Sequence, residues 1–260
     1  MILYFSGTGN TKFVAEFIAD RIDDECVSIN DVIKHKRPKI FKSDRPFVIA
    51  APIYAGCFPR HVVKLIRQAD MSGGEVWFIG TAGASAGKCA VELADLAAMK
   101  GLKYKGFRCI KMPNNYIVGG NVPDKQKAED IIRKAIPRIE EIAFEIAAGG
   151  DISKTNVSKL SNAVFGKLNS AMAGFMEKMN CADKFSVSNK CIGCGKCAFV
   201  CPVNNIIICS GRPIFREKCM NCLACINHCP TDAINYADKT DDVNRFVCPS
   251  YSDWKKKGML

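Results

Sequence analysis

A doubled cysteine array constrains this chain more than any other feature. Eight of the fifteen cysteines fall into two copies of one spacing, C-x2-C-x2-C-x3-C, and each fourth cysteine is followed by a proline. In such a run three thiolates surround one cubane cluster, and the fourth thiolate completes the other cluster. The spacing therefore predicts two 4Fe-4S clusters. The first is assigned to Cys191, Cys194, Cys197 and Cys229, and the second to Cys219, Cys222, Cys225 and Cys201.

Zinc and disulfides are the other interpretations of these cysteines. C-x2-C pairs also build zinc ribbons, although a zinc site needs only two such pairs, and cysteine triplets fit zinc poorly. Structural disulfides belong to secreted proteins. The chain runs from Met1 to Phe5 straight into a glycine-rich turn, without the charged segment and cleavage site of a signal peptide. We therefore expect thiolates in a reducing cytoplasm.

The length allows more than one domain. The 260 residues, with 48% hydrophobic content, support at least one ordinary core. The segment that carries the array is too short to fold on burial alone, so we expect the clusters to act as structural staples. The longest apolar stretch, around Phe47 to Tyr54, is far shorter than the roughly 18 residues that cross a bilayer. We expect no membrane span and four segments: 1–148, 149–185, 186–238 and 239–260.

The formal charge of +11 is an overestimate for a protein that carries clusters. An oxidised 4Fe-4S cluster with its thiolates carries about −2, so two clusters would lower the net charge by about 4. The remaining basic excess lies in runs at residues 35–39 and 255–257. We expect these runs to be solvated surface or to dock an acidic redox partner, and we do not expect a nucleic-acid site.

Residues 1–148 alternate between short apolar runs and amphipathic segments. This alternation predicts an α/β fold with a doubly wound parallel sheet of five strands in the order 2-1-3-4-5. The predicted strands are Ile2 to Phe5, Cys26 to Ile29, Phe47 to Ala51, Val76 to Ile79 and Phe107 to Met112. The predicted helices are Thr11 to Ile22, Arg60 to Gln68, Cys89 to Lys100 and Lys125 to Ala147.

The loop after the first predicted strand has the composition of a phosphate site. In a doubly wound sheet the ligand lies beyond the carboxyl ends of the strands. Ser6-Gly7-Thr8-Gly9-Asn10-Thr11 opens directly into a helix, whose N-terminal N–H groups and dipole favour an anion. The loop lacks the Walker A lysine and the third glycine of a dinucleotide fingerprint. A monophosphate fits it, and the alternative is a plain turn with a helix cap.

Two segments resemble known families. The loop from Ser6 to Thr11, placed between a strand and a helix, resembles the FMN-phosphate loop of the flavodoxin family, and the resemblance covers residues 1–148. Residues 186–238 resemble bacterial two-cluster ferredoxins, whose small domain is of the α+β class. The order of the two modules is similar to that of flavodoxin-ferredoxin fusion proteins of anaerobes. The resemblance implies FMN on Ser6, Gly7, Thr8, Gly9, Asn10 and Thr11.

The flavin ring is expected between the loops that follow the third and fourth strands. Tyr54 is the first candidate to stack on the ring and Phe58 the second, although a loop aromatic can equally pack on the following helix. Many flavodoxins carry an aromatic near Ala82, and its absence here leaves that side of the ring more open. Tyr116 could cover it. The expected ring residues are Pro52, Tyr54, Ala55, Gly56, Thr81, Ala82, Gly83 and Tyr116.

Several residues outside these motifs also carry expectations. Cys57 lies in the ring loop and could sense redox state, although a buried structural thiol is the favoured interpretation. His228 is expected to face solvent near the first cluster. Residues 157–179 repeat apolar side chains at spacings of three and four and predict an amphipathic connecting helix.

The predicted function is electron transfer between two 4Fe-4S clusters and FMN. The alternative is an FMN-dependent reductase that receives electrons from the clusters and reduces a small-molecule substrate. The partner is then either a redox protein, such as a ferredoxin or a reductase, or that substrate. No pair of acid-base residues is apparent in the sequence, which counts against the reductase without excluding it. The oligomeric state is a separate open question.

Overall fold

The computed structural model describes residues 1–72, 74–83, 86, 89–119, 122–152, 182–237 and 239–260. The N-terminal part contains seven strands: β1 (Ile2–Tyr4), β2 (Cys26–Ser28), β3 (Ile40–Lys42), β4 (Phe47–Pro52), β5 (Asp70–Ser72), β6 (Glu75–Ala82) and β7 (Lys103–Lys111). Five of them form one parallel sheet in the order β2-β1-β4-β6-β7. Counted along the sheet strands alone, this is the predicted order 2-1-3-4-5, and the prediction is confirmed.

Two short strands lie outside this sheet and were not predicted. β3 and β5 pair with each other in parallel, from Ile40 opposite Asp70 to Lys42 opposite Ser72. Phe41 is buried, whereas its neighbour Ile40 is 55% exposed. Three residues with one buried side chain give too weak an alternation for a strand to be recognised from sequence.

Helices cover both faces of the sheet. They are α1 (Asn10–Ile22), α2 (Ile29–Lys34), α3 (Arg60–Gln68), α4 (Cys89–Met99) and α5 (Lys125–Ala147), with a 3-10 turn at Ile117–Gly119. The buried side chains of α1 and α5 belong to one core, and those of α2, α3 and α4 belong to a second core on the other face. β4 lies between the two cores, which is why its residues from Phe47 to Ala51 are buried without alternation.

The C-terminal part contains a small domain with an internal repeat. Its elements are a 3-10 turn at Ala182–Lys184, β8 (Phe185–Val187), α6 (Lys196–Val200), β9 (Ile206–Cys209), β10 (Arg212–Phe215), α7 (Ala224–Asn227) and β11 (Ile234–Tyr236). β8 pairs with β11 and β9 pairs with β10, both antiparallel. Each half therefore consists of a strand, a cysteine loop, a short helix and a second strand.

The end of the chain packs on the N-terminal domain. The last helix, α8 (Tyr251–Lys256), lies against α1, where the Tyr251 ring meets Phe13 and Phe17 edge-on. The Tyr251 hydroxyl donates to an Asp20 carboxylate oxygen over 2.6 Å, and Lys255 Nζ donates to the same carboxylate over 2.6 Å. Trp254 is buried beside Phe13. The sequence predicted only a tail for these residues. The predicted connecting helix at residues 157–179 lies outside the described residues.

Candidate cofactor sites

Two cavities lie in the small domain, and each is lined by four cysteines. One is lined by Cys191, Cys194, Cys197 and Cys229, and we call it the first cavity. The other is lined by Cys201, Cys219, Cys222 and Cys225, and we call it the second cavity. These are the two sets of four cysteines that the spacing predicts. In each set the fourth cysteine comes from the other half of the domain. Among the described residues, no group of three or more His, Cys, Asp or Glu side chains is arranged to hold a single metal ion.

The two cysteine loops share one backbone conformation. The residues between the first and second cysteines of each triplet, Gly193 and Asn221, both have positive φ, at 68° and 53°. The residues after the second cysteine, Gly195 and Leu223, also have positive φ, at 71° and 56°. Alternation of right- and left-handed residues turns successive N–H groups toward one concavity, which is the backbone arrangement that holds anionic iron-sulfur centres. A buried leucine in the left-handed region is uncommon and indicates a conformation imposed by the site.

Backbone N–H groups also reach the fourth cysteine of each run. Asn205 N donates to Cys201 Sγ over 3.2 Å, and Ala233 N donates to Cys229 Sγ over 3.3 Å. These two donors occupy equivalent positions in the repeat. Hydrogen bonds to cysteine sulfur stabilise negative charge on a metal-bound thiolate.

The second cavity has one donor that the first lacks. Asn205 Oδ1 accepts from Lys218 N over 2.6 Å, which fixes the orientation of the amide. Asn205 Nδ2 is buried without a partner, and Asn205 lines the second cavity. The equivalent residue of the other half is Ala233, which has no side-chain donor. A buried donor without an acceptor fits a cavity that holds anionic sulfur.

Burial keeps two thiols of the second cavity, Cys222 and Cys225, protonated when no metal is bound. It raises the pKa of Cys222 to about 12 and raises the pKa of Cys225 well above the usual value for a thiol. Because iron binds the thiolate, loading this site must release protons. In the first cavity, burial also raises the pKa of Cys229, but hydrogen bonds from Thr231 and Ala233 outweigh it and the net shift is downward.

The loop from Ser6 to Thr11 forms a cradle at the start of α1. Gly9 has a φ of 97° and precedes the helix without a side-chain cap, so the first N–H groups of α1 have no capping oxygen. Ser6 Oγ accepts from Gly9 N over 3.1 Å, and the hydroxyls of Thr11 and Thr81 are hydrogen-bonded at 2.7 Å. Asn10 Oδ1 is buried without a partner. These hydroxyls, small residues and open helix donors match the chemistry of a phosphate.

The C-terminal part of the chain lies directly over this cradle. A Cβ placed on Gly7 would stand 3.3 Å from Cys222 O and 3.4 Å from the Tyr54 hydroxyl. A Cβ on Gly9 would stand 2.8 Å from Cys248 O, and Cys248 N donates to Thr8 O over 2.8 Å. Side chains at both glycines are therefore excluded by a close approach of chain segments, which the sequence did not indicate.

His228 lies at this same contact, against expectation. Its side chain is half-buried and hydrogen-bonds the Gly7 backbone, and burial lowers its pKa despite that hydrogen bond. The expectation of a solvent-facing side chain was wrong because His228 follows α7, which turns toward the N-terminal domain. Close by, Asn227 Nδ2 donates to Asn115 O over 3.2 Å.

The predicted ring residues differ in their surroundings. Tyr54 and Cys57 form a tight turn, in which Ala55 and Gly56 have positive φ. Tyr54 is half-buried, its hydroxyl lies with Cys222 against Gly7, and desolvation raises its pKa. Thr81, at the end of β6, turns its hydroxyl to Thr11 and so supports the cradle. Pro52 and Ala82 are half-buried at the ends of β4 and β6.

The remaining aromatics divide between core and surface. Phe58 packs edge-on against Phe78 and Phe107 in the core, so it is not available to a ring. Tyr116 is 46% exposed, and its backbone N donates to Asn114 Oδ1. A Cβ on Gly83 would stand 3.0 Å from the Cβ of Asn114, so the loop after β6 lies against the loop after β7.

Two thiols outside the array, Cys57 and Cys109, are not activated. Burial, with a smaller contribution from Glu92, raises the pKa of Cys57 to about 11. Burial likewise raises the pKa of Cys109 to about 11. A thiol that stays protonated at neutral pH is a poor nucleophile, so Cys57 fits the structural interpretation better than the redox one.

Family comparisons address both halves of the chain. Residues 1–106 match the model of a flavodoxin domain, and residues 187–207 and 212–235 match that of a 4Fe-4S binding domain. The chain joins a flavodoxin domain to a 4Fe-4S binding domain. The suspected flavodoxin-ferredoxin fusion is thereby confirmed at the level of its two families. No curated protein matches the chain.

Several solved structures are similar to this fusion protein. Two-electron reduced flavodoxin of Megasphaera elsdenii is 15% identical, with 57% of this chain and 99% of that chain covered and a TM-score of 0.31. A WrbA-like flavodoxin of Agrobacterium tumefaciens is 14% identical, with 57% and 96% covered and a TM-score of 0.35. Rubredoxin oxygen:oxidoreductase of Desulfovibrio gigas is 15% identical, with 55% and 36% covered and a TM-score of 0.31.

The two families imply FMN and 4Fe-4S chemistry, and together they support an electron-transfer protein. The residues present fit both groups: cysteine thiols and an unpartnered amide donor line the second cavity, and hydroxyls with the N–H groups at the start of α1 form the cradle. In the described part of the chain, no helix is both long and apolar enough to cross a membrane.

Proposed function

We propose that this fusion protein passes electrons between two 4Fe-4S clusters and FMN inside one chain. The contact between the second cysteine loop and the glycine cradle is the observation that carries the proposal. Gly7 and Cys222 approach so closely that a Cβ on Gly7 would lie 3.5 Å from the Cβ of Cys222. Because the phosphate loop and the cysteine loop touch, a cluster in the second cavity and a flavin on the cradle would be close neighbours.

The four cysteines of each cavity are the proposed cluster ligands. Each set combines three thiols of one loop with a fourth from the other half, so the two clusters would staple the halves of the domain together. The positive-φ residues of each loop direct N–H groups toward the cavity, and Asn205 adds a side-chain donor at the second. These groups would offset the negative charge of the clusters and tune their potentials.

The cradle residues are the proposed phosphate ligands of FMN. Ser6, Thr8 and Thr11 supply hydroxyls, the first turn of α1 supplies N–H groups, and Gly7 and Gly9 complete the loop. We propose that the ring lies between the loops after β4, β6 and β7, bounded by the residues Pro52, Tyr54, Ala55, Gly56, Thr81, Ala82, Gly83 and Tyr116. In this arrangement residues 1–148 bind FMN and residues 186–238 bind the clusters.

When bound, the clusters exchange single electrons and the flavin exchanges one or two, so the fusion can link one-electron and two-electron carriers. The chain itself contributes position and shielding. Tyr54 and Cys222 both lie against Gly7, and the tail residue Cys248 lies against Gly9. These contacts bring the second cysteine loop and the tail directly onto the cradle.

Cofactor analysis after anaerobic purification tests the proposal. We expect about eight irons and eight sulfides for each chain, as two 4Fe-4S clusters require, together with one FMN. Reductive titration followed by electron paramagnetic resonance should then show two cluster signals and a flavin signal. Iron near half that amount would refute the second cluster, and a chain that neither retains nor binds FMN would refute the flavin. Oxidation of the reduced protein by a small molecule, but not by a ferredoxin, would favour the reductase alternative.

A further inference from the structure

The two cysteine loops are alike in backbone but opposite in exposure. In the first loop, Ile192 is 67% exposed and Cys194 is also exposed. In the second loop, residues 219–225 are all buried or half-buried. An internal repeat would place both clusters in equivalent surroundings, so the difference arises from what the rest of the chain covers.

The N-terminal domain covers the second loop. Cys222 lies against Gly7 and Tyr54, and Met220 packs on the core formed by α2, α3 and α4. His228, at the end of α7, hydrogen-bonds the Gly7 backbone. In the part of the chain that the structure describes, residues of the first loop and of α6 stay exposed. We define the open face by its exposed residues Lys190, Ile192, Cys194, Lys196 and Phe199.

The open face combines exposed apolar side chains with exposed basic ones. Ile192 and Phe199 expose 67% and 76% of their surface, far more than large apolar side chains usually do. Between Lys184 and Arg216 the sequence contains five basic residues and no acidic one. A cluster would offset only about two of these charges. Exposed apolar groups within a rim of one charge sign are typical of a surface that binds another protein.

A basic segment of the N-terminal domain is fixed beside this face. Lys34 Nζ lies 4.6 Å from the centre of the Phe199 ring and also donates to Phe199 O. Asn204 Nδ2 donates to Lys34 O over 2.7 Å. These bonds hold the end of α2 against α6, so the exposed Lys36 and Arg37 extend the basic rim. One of the two basic runs noted in the sequence therefore borders the open face, whereas the other lies on and just after α8.

We propose that the open face is the docking surface for an acidic one-electron carrier protein, and that the second cavity is the internal relay to the flavin. This inference rests on the proposed function and adds an order to it: partner, first cluster, second cluster, FMN. Each exchange with the partner moves one electron and no atom. When the reduced partner gives up an electron it is oxidised by one unit, and this protein is reduced by one unit at its first cluster.

Charge reversal on the open face tests the proposal. The probe is an acidic bacterial ferredoxin, photoreduced and mixed by stopped flow with the oxidised full-length holoprotein. Lys190→Glu combined with Lys196→Glu should slow the second-order reduction about tenfold at low salt, and the difference should shrink as salt increases. The matched control, Lys256→Glu combined with Lys257→Glu, makes the same charge change on the tail and should alter the rate less than twofold. Both control side chains are exposed.

A second measurement does not depend on turnover. Carbodiimide crosslinking of the wild-type protein with the same ferredoxin, followed by mass spectrometry, should join ferredoxin carboxylates to Lys190 or Lys196. Equal slowing by both double variants would overturn the proposal, since it would reflect net charge alone. Crosslinks concentrated on the tail lysines would overturn it as well.

Cofactor content separates this inference from the proposed function. Iron, sulfide and FMN are measured on each variant before mixing. If both clusters and FMN are present and the open-face variant reacts like the wild type, the docking surface is refuted and the proposed function stands. If the wild-type protein lacks the first cluster, both are refuted.

Discussion

At the scale of single residues, the two cluster sites differ most at Asn205. The array repeats with identical spacing, yet the residue four positions after the fourth cysteine is Asn205 in one half and Ala233 in the other. Only the structure shows that the Asn205 amide is oriented by Lys218 N and that Nδ2 lacks a partner. The spacing of the cysteines predicts how the thiolates are arranged, whereas the hydrogen bonds around a cluster depend on side chains outside the motif.

Replacing this amide should lower the potential of the second cluster. Asn205→Asp keeps the shape and the acceptor for Lys218 N but replaces the Nδ2 donor by a negative oxygen. Loss of a donor and added negative charge both disfavour the reduced cluster, so we expect a decrease on the order of tens of millivolts. Redox titration followed by electron paramagnetic resonance measures it. Ala233→Ser, at the equivalent site of the other half, should leave the second cluster unchanged. An unchanged or higher potential in Asn205→Asp would contradict the role of the amide.

At the scale of elements, prediction from sequence succeeds where burial is continuous. β4 was recognised because its five residues from Phe47 to Ala51 are all apolar, as a strand between two cores must be. α8 was missed because its six residues give no periodic pattern of their own. Its position depends on partners far away in sequence, namely Phe13, Phe17 and Asp20 on α1.

The Asp20 contact should hold α8 in place. Hydrogen bonds from Lys255 and Tyr251 lower the pKa of Asp20, so its carboxylate favours the folded state at neutral pH. The carboxylate makes its full contribution to stability above the ordinary aspartate pKa of 3.8. The contribution is lost as the pH falls through the lower pKa that Asp20 has in the folded state. Asp20→Asn should cost about 1 kcal/mol of docking stability at pH 7. Hydrogen exchange of α8 amides would then be several times faster.

A nearby substitution provides the control for this measurement. Glu16→Gln removes a carboxylate from the same helix, where Glu16 pairs only loosely with Lys12 at 3.6 Å. It should leave exchange in α8 unchanged. Equal exchange rates in wild type and Asp20→Asn would show that the aromatic contacts alone hold the helix.

At the scale of the whole molecule, the arrangement of the two domains is what the sequence could not reveal. Each module carries a local signature, because a phosphate loop and a cysteine array are short segments with fixed spacing. The contact between Gly7 and Cys222 joins opposite ends of the chain, and no spacing rule links them. The same contact explains why His228 was placed wrongly: its surroundings come from the other domain.

The domain contact also predicts unequal effects of cluster loss on FMN binding. Cys197→Ser removes a proposed ligand of the first cluster, so we expect about half the iron to be lost and the Kd for FMN to change less than twofold. Cys225→Ser removes a proposed ligand of the second cluster, and the second cysteine loop lies on the cradle. Loss of that cluster frees the loop, and the cradle loses the neighbour that orders Gly7. We expect FMN binding to weaken about tenfold, which corresponds to roughly 1.4 kcal/mol.

Fluorescence titration of FMN with each purified variant, together with iron analysis, measures both effects. The pair is matched, since each variant replaces the third cysteine of its triplet by the same residue. Equal weakening by both substitutions would mean that the small domain affects the cradle as one unit. No weakening by either would mean that the cradle binds FMN without help from the cysteine loop. If FMN binding is weakened by Cys225→Ser alone, the second cysteine loop forms one side of the proposed flavin site.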